Sequence, residues 1–253
     1  MTGLRYTPAE LMVVAGAREI ADGDVVFVGM RLPLLAFALA KRTHAPRAVG
    51  FFENGVIRDE PSEALLYTMG DPPNIENASM CCGMTTVMGL LQQGEVDLGF
   101  IGGAEVDRFG NINTSYIGDS GRPDVKLPGS GGAADIASLA KRVVVIVEHD
   151  RRRLVERVSY MTSPGFGDGP NWRSRNGLTG GGPCAIITTM AVLRFDAGEA
   201  YVASIHPGVD AARVRANTGW SIRVADESIR TPDPTDGELR VIREADPQGF
   251  WTR

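Results

Sequence analysis

Short segments of apolar residues alternate with helical patterns along roughly the first 150 residues of the chain. Segments 25–29, 48–52 and 143–147 are apolar on both faces, and the stretches between them carry apolar residues at helical spacing. Strands of this kind belong to a parallel sheet that helices cover on both faces. The sequence therefore predicts an α/β fold with an open, mostly parallel sheet, and such sheets bind ligands beyond the carboxyl ends of their strands.

Local signals indicate where these elements begin and end. Thr7-Pro8-Ala9-Glu10 predicts a helix start with Thr7 as the N-cap, and the helix is expected to run to about Ala21. Further helices are predicted at 33–42, 84–93, 133–140 and 236–244, and a further strand at 96–103. Residues 1–253 are expected to form a single domain with a loop-rich C-terminal third from about 151, because residues 162–183 are dense in glycine and proline.

Charge and composition exclude several classes of protein. The net charge is -5 and the charges are interspersed, so the chain has no basic surface of the kind that binds nucleic acid. Its longest apolar runs are far shorter than the roughly 20 residues that span a bilayer. The N-terminus has no signal-like architecture, so we expect a cytoplasmic protein without a membrane span. The three cysteines and three histidines lack the spacing of a disulfide framework or a metal site, so neither is predicted.

A glutamate stands where a strand is expected to end. In Phe51-Phe52-Glu53-Asn54-Gly55, the carboxylate follows two aromatic residues and precedes an Asn-Gly turn signal. A carboxylate among apolar residues loses hydration, which disfavours its charged form and sharpens its nucleophilicity. An exposed glutamate at a hairpin corner fits the same five residues, so the residues themselves leave both interpretations open.

A glycine-rich loop at 128–132 leads directly into the helix predicted from Ala133. Its amide groups can approach an anion closely and the helix N-terminus adds positive potential, so the loop is a candidate site for a phosphate or an oxyanion. The loop is not a Walker motif, and it lacks the order of glycines of a dinucleotide site. A tight strand-to-helix connection explains the same glycines equally well.

Two further carboxylates, Glu105 and Asp107, precede a Gly-Asn turn. We expect Asp107 and Asn111 to satisfy backbone groups of that turn. Glu105 keeps two interpretations, a structural one in which it is solvated or pairs with an arginine, and a functional one. Cys81-Cys82 could supply a nucleophile, but no histidine or lysine lies nearby to activate a thiol, so buried packing residues are expected.

Taken in order, these segments resemble the β subunit of the class I coenzyme A transferases, most closely the glutaconate CoA-transferase branch. Glu53-Asn54-Gly55 is similar to the Ser-Glu-Asn-Gly signature around the catalytic glutamate of that family. The other similar segments are 102–113, 129–135, 162–165, 180–183 and 206–208, so that the resemblance covers nearly the whole chain. It implies an open α/β sheet domain that pairs with a homologous α subunit, with the active site at the interface of the two subunits.

The resemblance also implies a mechanism and a set of site residues. Glu53 would attack the thioester of an acyl-CoA, and a covalent glutamyl-CoA thioester would follow through an acyl-glutamyl anhydride. The amides of Gly131 and Gly132 would stabilise the oxyanions that form on the way. Coenzyme A would be a substrate and a transient covalent adduct, with no tightly bound cofactor and no metal.

Three residues depart from the pattern of the family. Phe52 replaces a serine, Glu105 replaces a glutamine, and Arg31 stands where many relatives have a glycine. Arg31 is expected near the active-site end of the sheet, where it could bind a substrate carboxylate in a bidentate manner or pair with Glu105. Asn54, Arg31 and Glu105 are the predicted substrate contacts, and a dicarboxylic or 3-oxo acid is the expected substrate.

Two other classes of function stay open at this point. An enzyme of the same fold could hydrolyse, decarboxylate or ring-open an acyl-CoA, with Glu53 or Glu105 acting as base. A non-catalytic domain of similar architecture could sense a sugar phosphate through its glycine loop, and it would have no use for Glu53. The leading prediction is the β subunit of a heteromeric acyl-CoA:carboxylate CoA-transferase.

Overall fold

Two units make up the chain in the computed structural model, which describes residues 5–227 and 229–253. The first unit comprises the described residues up to Phe100 together with Pro232–Arg253, and the second comprises Ile101–Thr231. The sequence predicts one domain whose character changes near residue 151. The contacts instead divide the chain near residue 100 and assign the C-terminal segment to the first unit.

The order of helices and strands follows the alternating pattern predicted for the first half of the chain. The helices are α1 (Pro8–Ala17), α2 (Leu32–Arg42), α3 (Pro72–Ile75), α4 (Met84–Gln92), α5 (Ala133–Leu139), α6 (Trp172–Arg175), α7 (Ala211–Ala216) and α8 (Asp236–Ala245). The strands are β1 (Val25–Phe27), β2 (Val49–Phe51), β3 (Val56–Arg58), β4 (Met80–Cys81), β5 (Leu98–Ile101), β6 (Glu105–Asp107), β7 (Ile112–Asn113), β8 (Tyr116–Asp119), β9 (Arg122–Lys126), β10 (Arg142–Ile146), β11 (Leu154–Val155), β12 (Pro183–Ile187), β13 (Ala191–Asp196) and β14 (Glu199–Ile205). Each predicted helix and strand is present, including α8 near the C-terminus, with ends that differ by a few residues.

In the first unit, strands pair in the order β5-β1-β2-β3-β4. β1 runs parallel to β2 and to β5, with Phe27 opposite both Phe51 and Gly99. β3 turns back antiparallel to β2, and β4 pairs antiparallel with β3 as the edge strand. The predicted α/β class and the parallel pairing are confirmed, and the carboxyl ends of β1, β2 and β5 lie at one edge.

The start of α1 forms the capping box that the sequence predicts. The Thr7 hydroxyl accepts a hydrogen bond from the Glu10 amide at 3.1 Å, and the Glu10 carboxylate accepts one from the Thr7 amide at 2.8 Å. The helix ends at Ala17, earlier than predicted. The chain then turns, because the Asp24 carboxylate accepts a hydrogen bond from the Ala21 amide at 2.8 Å.

Three helices pack together in the first unit. α1 contacts α2, and both contact α8. Each contributes buried apolar side chains, among them Leu11, Leu35 and Leu239. No helix in residues 5–227 and 229–253 is long and apolar enough to cross a membrane.

In the second unit, strands pair in the order β14-β13-β12-β10, with β10 parallel to β12 and the other two pairs antiparallel. Three shorter strands pair in the order β11-β6-β7, and β8 forms a hairpin with β9. The antiparallel strands β12 to β14 differ from the loop-rich segment that the composition predicts. Their turn contains Ala197 and Gly198 with φ angles of 49° and 82°, a hairpin signal that the sequence prediction missed.

Candidate active site

Glu53 lies in the turn that joins β2 to β3 in the first unit. The Phe52 amide donates to the Val56 carbonyl at 2.9 Å and the Gly55 amide donates to the Phe52 carbonyl at 2.9 Å. Glu53 and Asn54 are therefore the central residues of the turn. Glu53 is half-buried, and Phe52 beside it is 2% exposed. Because the turn follows the carboxyl end of β2, the glutamate lies both at a hairpin corner and at the edge where parallel sheets bind ligands.

The side chain of Asn54 fastens this turn to a neighbouring loop. Its Nδ2 donates to the Met69 carbonyl at 2.6 Å, and its Oδ1 accepts from the Val56 amide at 3.3 Å. The buried Asn74 donates from its own Nδ2 to the same Met69 carbonyl at 2.8 Å. Both polar atoms of the Asn54 side chain thus have partners within the protein, and its contact with substrate stays a prediction.

Arg58 on β3 is 2% exposed, and its guanidinium organises the loop that Asn54 contacts. The group donates to the backbone carbonyls of Glu60 at 2.9 Å, Pro61 at 3.4 Å, Pro73 at 3.2 Å, Asn74 at 2.7 Å and Glu76 at 2.7 Å. Burial lowers the pKa of Arg58. Sequence reasoning missed this residue, because its acceptors are carbonyls, and every residue carries one.

Gly55 is the point where the turn approaches the chain next to β4 most closely. Its φ is +100°, and a Cβ built there would lie 2.1 Å from the carbonyl oxygen of Cys82. The amide and the thiol of Cys82 both donate to the Gly55 carbonyl, at 2.9 and 3.0 Å. The prediction that Cys81 and Cys82 are buried is wrong, since β4 is an edge strand that leaves Cys81 exposed and Cys82 half-buried. All three cysteines are free thiols.

Substitution of Gly55 by alanine is expected to lower the free energy of unfolding by about 2 kcal/mol or more, since the new side chain meets backbone and the positive φ is strained. Gly89→Ala in α4 is the matched control. No atom lies within 4 Å of a Cβ built at Gly89, so that variant should gain about 0.5–1 kcal/mol from its higher helix propensity. Chemical denaturation measures both, and equal stabilities would contradict the close approach at Gly55.

Arg31 follows β1 at the same edge of the first unit and is the N-cap of α2. Its backbone has a φ of 70° and a ψ of -122°, and its side chain is exposed. The guanidinium carbon lies 5.5 Å from the ring centroid of Trp251. Arg31 therefore stacks on an aromatic ring, and the alternative of an ion pair with Glu105 is wrong.

Glu105 on β6 is buried in the second unit, with 6% of its surface exposed. Its Oε2 accepts from Asn113 Nδ2 at 2.7 Å and from the Ser159 amide at 2.9 Å. Its Oε1 accepts from the Ser159 hydroxyl at 3.0 Å. These donors favour the structural interpretation of Glu105, with neutral partners in place of an arginine, and its contact with substrate stays a prediction.

Asp107 and Asn111 bind the backbone of their own turn, as predicted. Asp107 Oδ1 accepts from the amides of Phe109 and Asn111 at 2.9 and 3.1 Å. Asn111 Oδ1 in turn accepts from the amides of Gly165 and Gly167 at 2.9 and 3.0 Å. Burial raises the pKa of Asp107, although the hydrogen bonds of the turn act in the opposite direction. This pair thus joins two of the segments on which the family resemblance rests.

The glycine-rich loop before α5 leaves one amide available. The Ser130 hydroxyl accepts from the Ala134 amide at 3.2 Å, and the Ser130 carbonyl accepts from the Ala133 amide at 3.1 Å. Gly132 is the N-cap of α5. Gly131 is exposed with a φ of 50°, and its amide has no hydrogen-bond partner in the described parts of the chain. The roles of Gly131 and Gly132 as oxyanion donors stay predictions.

A second buried arginine, Arg173 on α6, joins the other glycine-rich segments of the second unit. Its guanidinium donates to the carbonyls of Gly180 at 3.0 Å, Pro164 at 3.3 Å, Gly165 at 3.0 Å, Ala137 at 2.9 Å and Ser138 at 3.2 Å. Burial lowers the pKa of Arg173. Like Arg58, it uses carbonyl acceptors, so no motif in the sequence marks it.

Two buried histidines share Thr188 in the second unit. His149 Nδ1 lies 2.8 Å from Thr188 Oγ1, and His206 Nε2 lies 2.8 Å from the Thr188 carbonyl. Their other ring nitrogens contact the hydroxyls of Thr218 at 3.1 Å and Thr231 at 2.9 Å. Burial lowers the pKa of each histidine to about 4. These partners identify both histidines as structural residues.

Lowering the pH from about 7 to about 4.5 is expected to destabilise the protein through these histidines. Each has a pKa of about 4 in the folded state against about 6.5 for an exposed histidine, so the unfolded state binds protons first. Their stabilisation is complete above about pH 6.5 and is lost toward pH 4, by roughly 2–3 kcal/mol for each histidine. Urea unfolding at several pH values, compared with a His149→Gln, His206→Gln double variant, measures the loss. Identical pH dependence of the two proteins would contradict it.

The fold and the ordered segments around Glu53 and the glycine loop define the class of protein. A family profile described as Coenzyme A transferase matches residues 9–217. The chain belongs to the coenzyme A transferase family. The prediction of a CoA-transferase enzyme is thereby confirmed at the level of the family.

Individual relatives place the chain more narrowly. The β subunit of the 3-oxoadipate CoA-transferase of Pseudomonas knackmussii is 43% identical over 241 residues, which cover 94% of this chain and 92% of that protein. The β subunit of the glutaconate CoA-transferase of Acidaminococcus fermentans is 34% identical over 248 residues, with coverages of 94% and 92%. The crystal structure of glutaconate coenzyme A-transferase from the same organism matches with a TM-score of 0.92, at 31% identity over 98% of both chains. These comparisons confirm the predicted fold class and the resemblance to the glutaconate branch.

A second solved structure has a different activity in its name. The crystal structure of the decarboxylase AibA/AibB matches this chain with a TM-score of 0.85, at 30% identity over 97% of both chains. The same fold at similar identity thus occurs in proteins named for transfer and for decarboxylation. The chemistry of this chain has to be argued from its own residues.

Proposed function

We propose that this chain is the β subunit of a heteromeric acyl-CoA:carboxylate CoA-transferase that acts on a dicarboxylic or 3-oxo acid. Its relatives are named as subunits of 3-oxoadipate and glutaconate CoA-transferases, and these names support both the activity and the class of acid. Because each relative is named as one subunit of its enzyme, the names also support a homologous α subunit as the partner. Coenzyme A is a substrate in this proposal, and no further cofactor is needed.

The position of Glu53 carries the proposal. It is a half-buried carboxylate in a turn at the carboxyl end of β2. Hydrogen bonds of the turn and the Asn54 side chain fix the backbone on both sides of it. A nucleophile held in one position reacts faster than a mobile one, because the entropy of alignment is lost on folding and not during the reaction.

The chemistry proceeds by two exchanges at the Glu53 carboxylate. The carboxylate attacks the thioester carbonyl of an acyl-CoA, the carbon–sulfur bond breaks, and an acyl-glutamyl anhydride and the CoA thiolate result. The thiolate then attacks the glutamyl carbonyl, which releases the first carboxylate and leaves a glutamyl-CoA thioester. An acceptor carboxylate reverses these steps and leaves as the new acyl-CoA. The exposed amide of Gly131 supports the proposed role of the glycine loop in stabilising the oxyanions.

The test is incubation of the purified complex, containing this chain and its α subunit, with an acyl-CoA in the absence of an acceptor acid. We expect the peptide that contains Glu53 to gain the mass of CoA less one water, as detected by mass spectrometry. Glu60→Gln, which changes an exposed glutamate a few residues away, should form the same adduct. Complete absence of the adduct with a panel of short and medium acyl-CoA donors would refute the mechanism.

Decarboxylation is the second candidate, because the decarboxylase AibA/AibB matches 97% of this chain at 30% identity. In that case Glu53 acts as an acid or base and forms no covalent bond. Consumption of an acyl-CoA with release of carbon dioxide, without an acceptor acid and without an adduct, would favour it. Exchange of CoA that depends on an added carboxylic acid would favour the transferase.

A further inference from the structure

Arg31 has a backbone conformation that suits glycine. Its φ of 70° and ψ of -122° lie outside the regions that residues with a Cβ ordinarily adopt. In the family that the sequence resembles, many members have a glycine at this point of the loop. A side chain that persists in such a conformation costs conformational free energy, and strained residues of this kind cluster at functional sites.

The guanidinium of Arg31 is held in place but is not neutralised. It lies 5.5 Å from the ring centroid of Trp251 and forms no ion pair in residues 5–227 and 229–253. Trp251 is itself fixed, because its Nε1 donates to the Leu66 carbonyl at 3.1 Å and its ring packs edge-on against Phe250 at 4.6 Å. An exposed cation on a fixed aromatic support suits the binding of an anion, since a guanidinium pairs with a carboxylate in a bidentate manner.

The Arg31 cation and the Glu53 turn lie at the same edge of the first unit. β1 and β2 are parallel neighbours, and Arg31 follows β1 as Glu53 follows β2. The loop of residues 66–69 contacts both, since it accepts a hydrogen bond from Trp251 at one end and from Asn54 at the other. A substrate that reacts at Glu53 therefore meets the side of the protein that carries the cation.

We propose that Arg31 is a specificity-determining residue that binds the second carboxylate of a dicarboxylic acyl group and so selects such substrates over monocarboxylic ones. The proposal rests on the proposed function, in which Glu53 reacts with the thioester carbonyl. The chemistry at Glu53 is unchanged, and Arg31 adds an ion pair at the far end of the acyl chain. The phosphates of CoA are the other anions at hand, but every acyl-CoA carries them, so donors that differ only in the acyl group separate the two sources.

The test measures the second-order rate constant for adduct formation on Glu53 in the purified complex, which needs no acceptor acid. Two matched pairs of donors are compared, succinyl-CoA with butyryl-CoA and adipyl-CoA with hexanoyl-CoA. In the wild type, the dicarboxylic member of at least one pair should react faster. Arg31→Gly and Arg31→Gln should slow that member by about 10- to 100-fold and its monocarboxylic partner by less than about twofold. Arg42→Gln, at the exposed C-terminal end of α2, is the control and should change neither rate.

A thermal unfolding measurement separates this role from a structural one. Arg31→Gly should be at least as stable as the wild type, because glycine adopts the positive φ without strain. Rates that fall equally for both members of a pair would assign Arg31 to the CoA phosphates or to folding and overturn the proposal, as would a wild type without preference for either dicarboxylic donor. A wild type that forms no adduct with any donor would instead refute the proposed function, and this proposal with it.

Discussion

Replacement of Glu53 by glutamine is expected to lower kcat for CoA transfer by at least about 10³-fold, because an amide cannot form the anhydride with the acyl group. The two side chains have nearly the same size, and Glu53 is only half-buried in a turn. We therefore expect the free energy of unfolding to change by less than about 0.5 kcal/mol. Steady-state kinetics of the assembled complex and chemical denaturation of the same preparation measure the two quantities together.

Two further variants make the Glu53 result specific. Glu60→Gln removes an exposed carboxylate from the loop after β3 and should retain the kcat of the wild type. Glu53→Asp keeps a carboxylate but withdraws it by one methylene, so its activity should lie between those of the glutamine variant and the wild type. A glutamine variant that keeps more than about a tenth of the activity would exclude a covalent role for Glu53, since covalent catalysis cannot survive loss of the nucleophile.

Replacement of Arg58 by leucine is expected to lower the free energy of unfolding by about 3–5 kcal/mol. The guanidinium is 2% exposed and donates to five backbone carbonyls between residues 60 and 76. Leucine fills much of the space but leaves those carbonyls without their donor. Because Asn74 and Asn54 meet at the Met69 carbonyl in the same loop, the Glu53 turn should loosen and kcat should fall as well.

The Arg58 prediction has a control in the same unit. Arg47→Leu removes an arginine whose side chain is 78% exposed and which pairs with Asp22 at 2.9 Å. A surface ion pair of this kind contributes about 0–1 kcal/mol, so the variant should unfold within about 1 kcal/mol of the wild type. Arg58→Lys keeps the charge but not the planar group of donors, and should recover only part of the stability. Equal losses for Arg58→Leu and Arg47→Leu would refute the structural role of Arg58.

Much of the fold was predictable because its signals are local. The capping box at Thr7 and Glu10 lies within four residues, and the apolar strands and helices can be recognised from the spacing of their own side chains. The place of Glu53 after a strand was predictable for the same reason. The hairpin of β13 and β14 was missed although it also has a local signal, at Ala197-Gly198. The sequence prediction gave too much weight there to the glycine-rich segment before it.

The candidate site was predictable only in part. The position of Glu53 and the turn role of Asp107 follow from neighbouring residues. The neutral partners of Glu105, which are Asn113 and Ser159, could not be predicted, because Ser159 lies 54 residues away and no sequence pattern connects the two. The exposure of Cys81 depends likewise on the position of β4 at the edge of the strand order, which its own residues do not encode.

The sequence by itself determined the α/β class, the succession of strands and helices, and the position of a glutamate at the end of a strand, since each depends on residues close together in the chain. Only the tertiary structure decided that Arg58 and Arg173 are buried and that Arg31 stacks on Trp251. The physical reason is the nature of their partners. Backbone carbonyls occur at every residue, and those that bind Arg173 come from as far as 36 residues away, so only the folded chain selects which of them surround the charge.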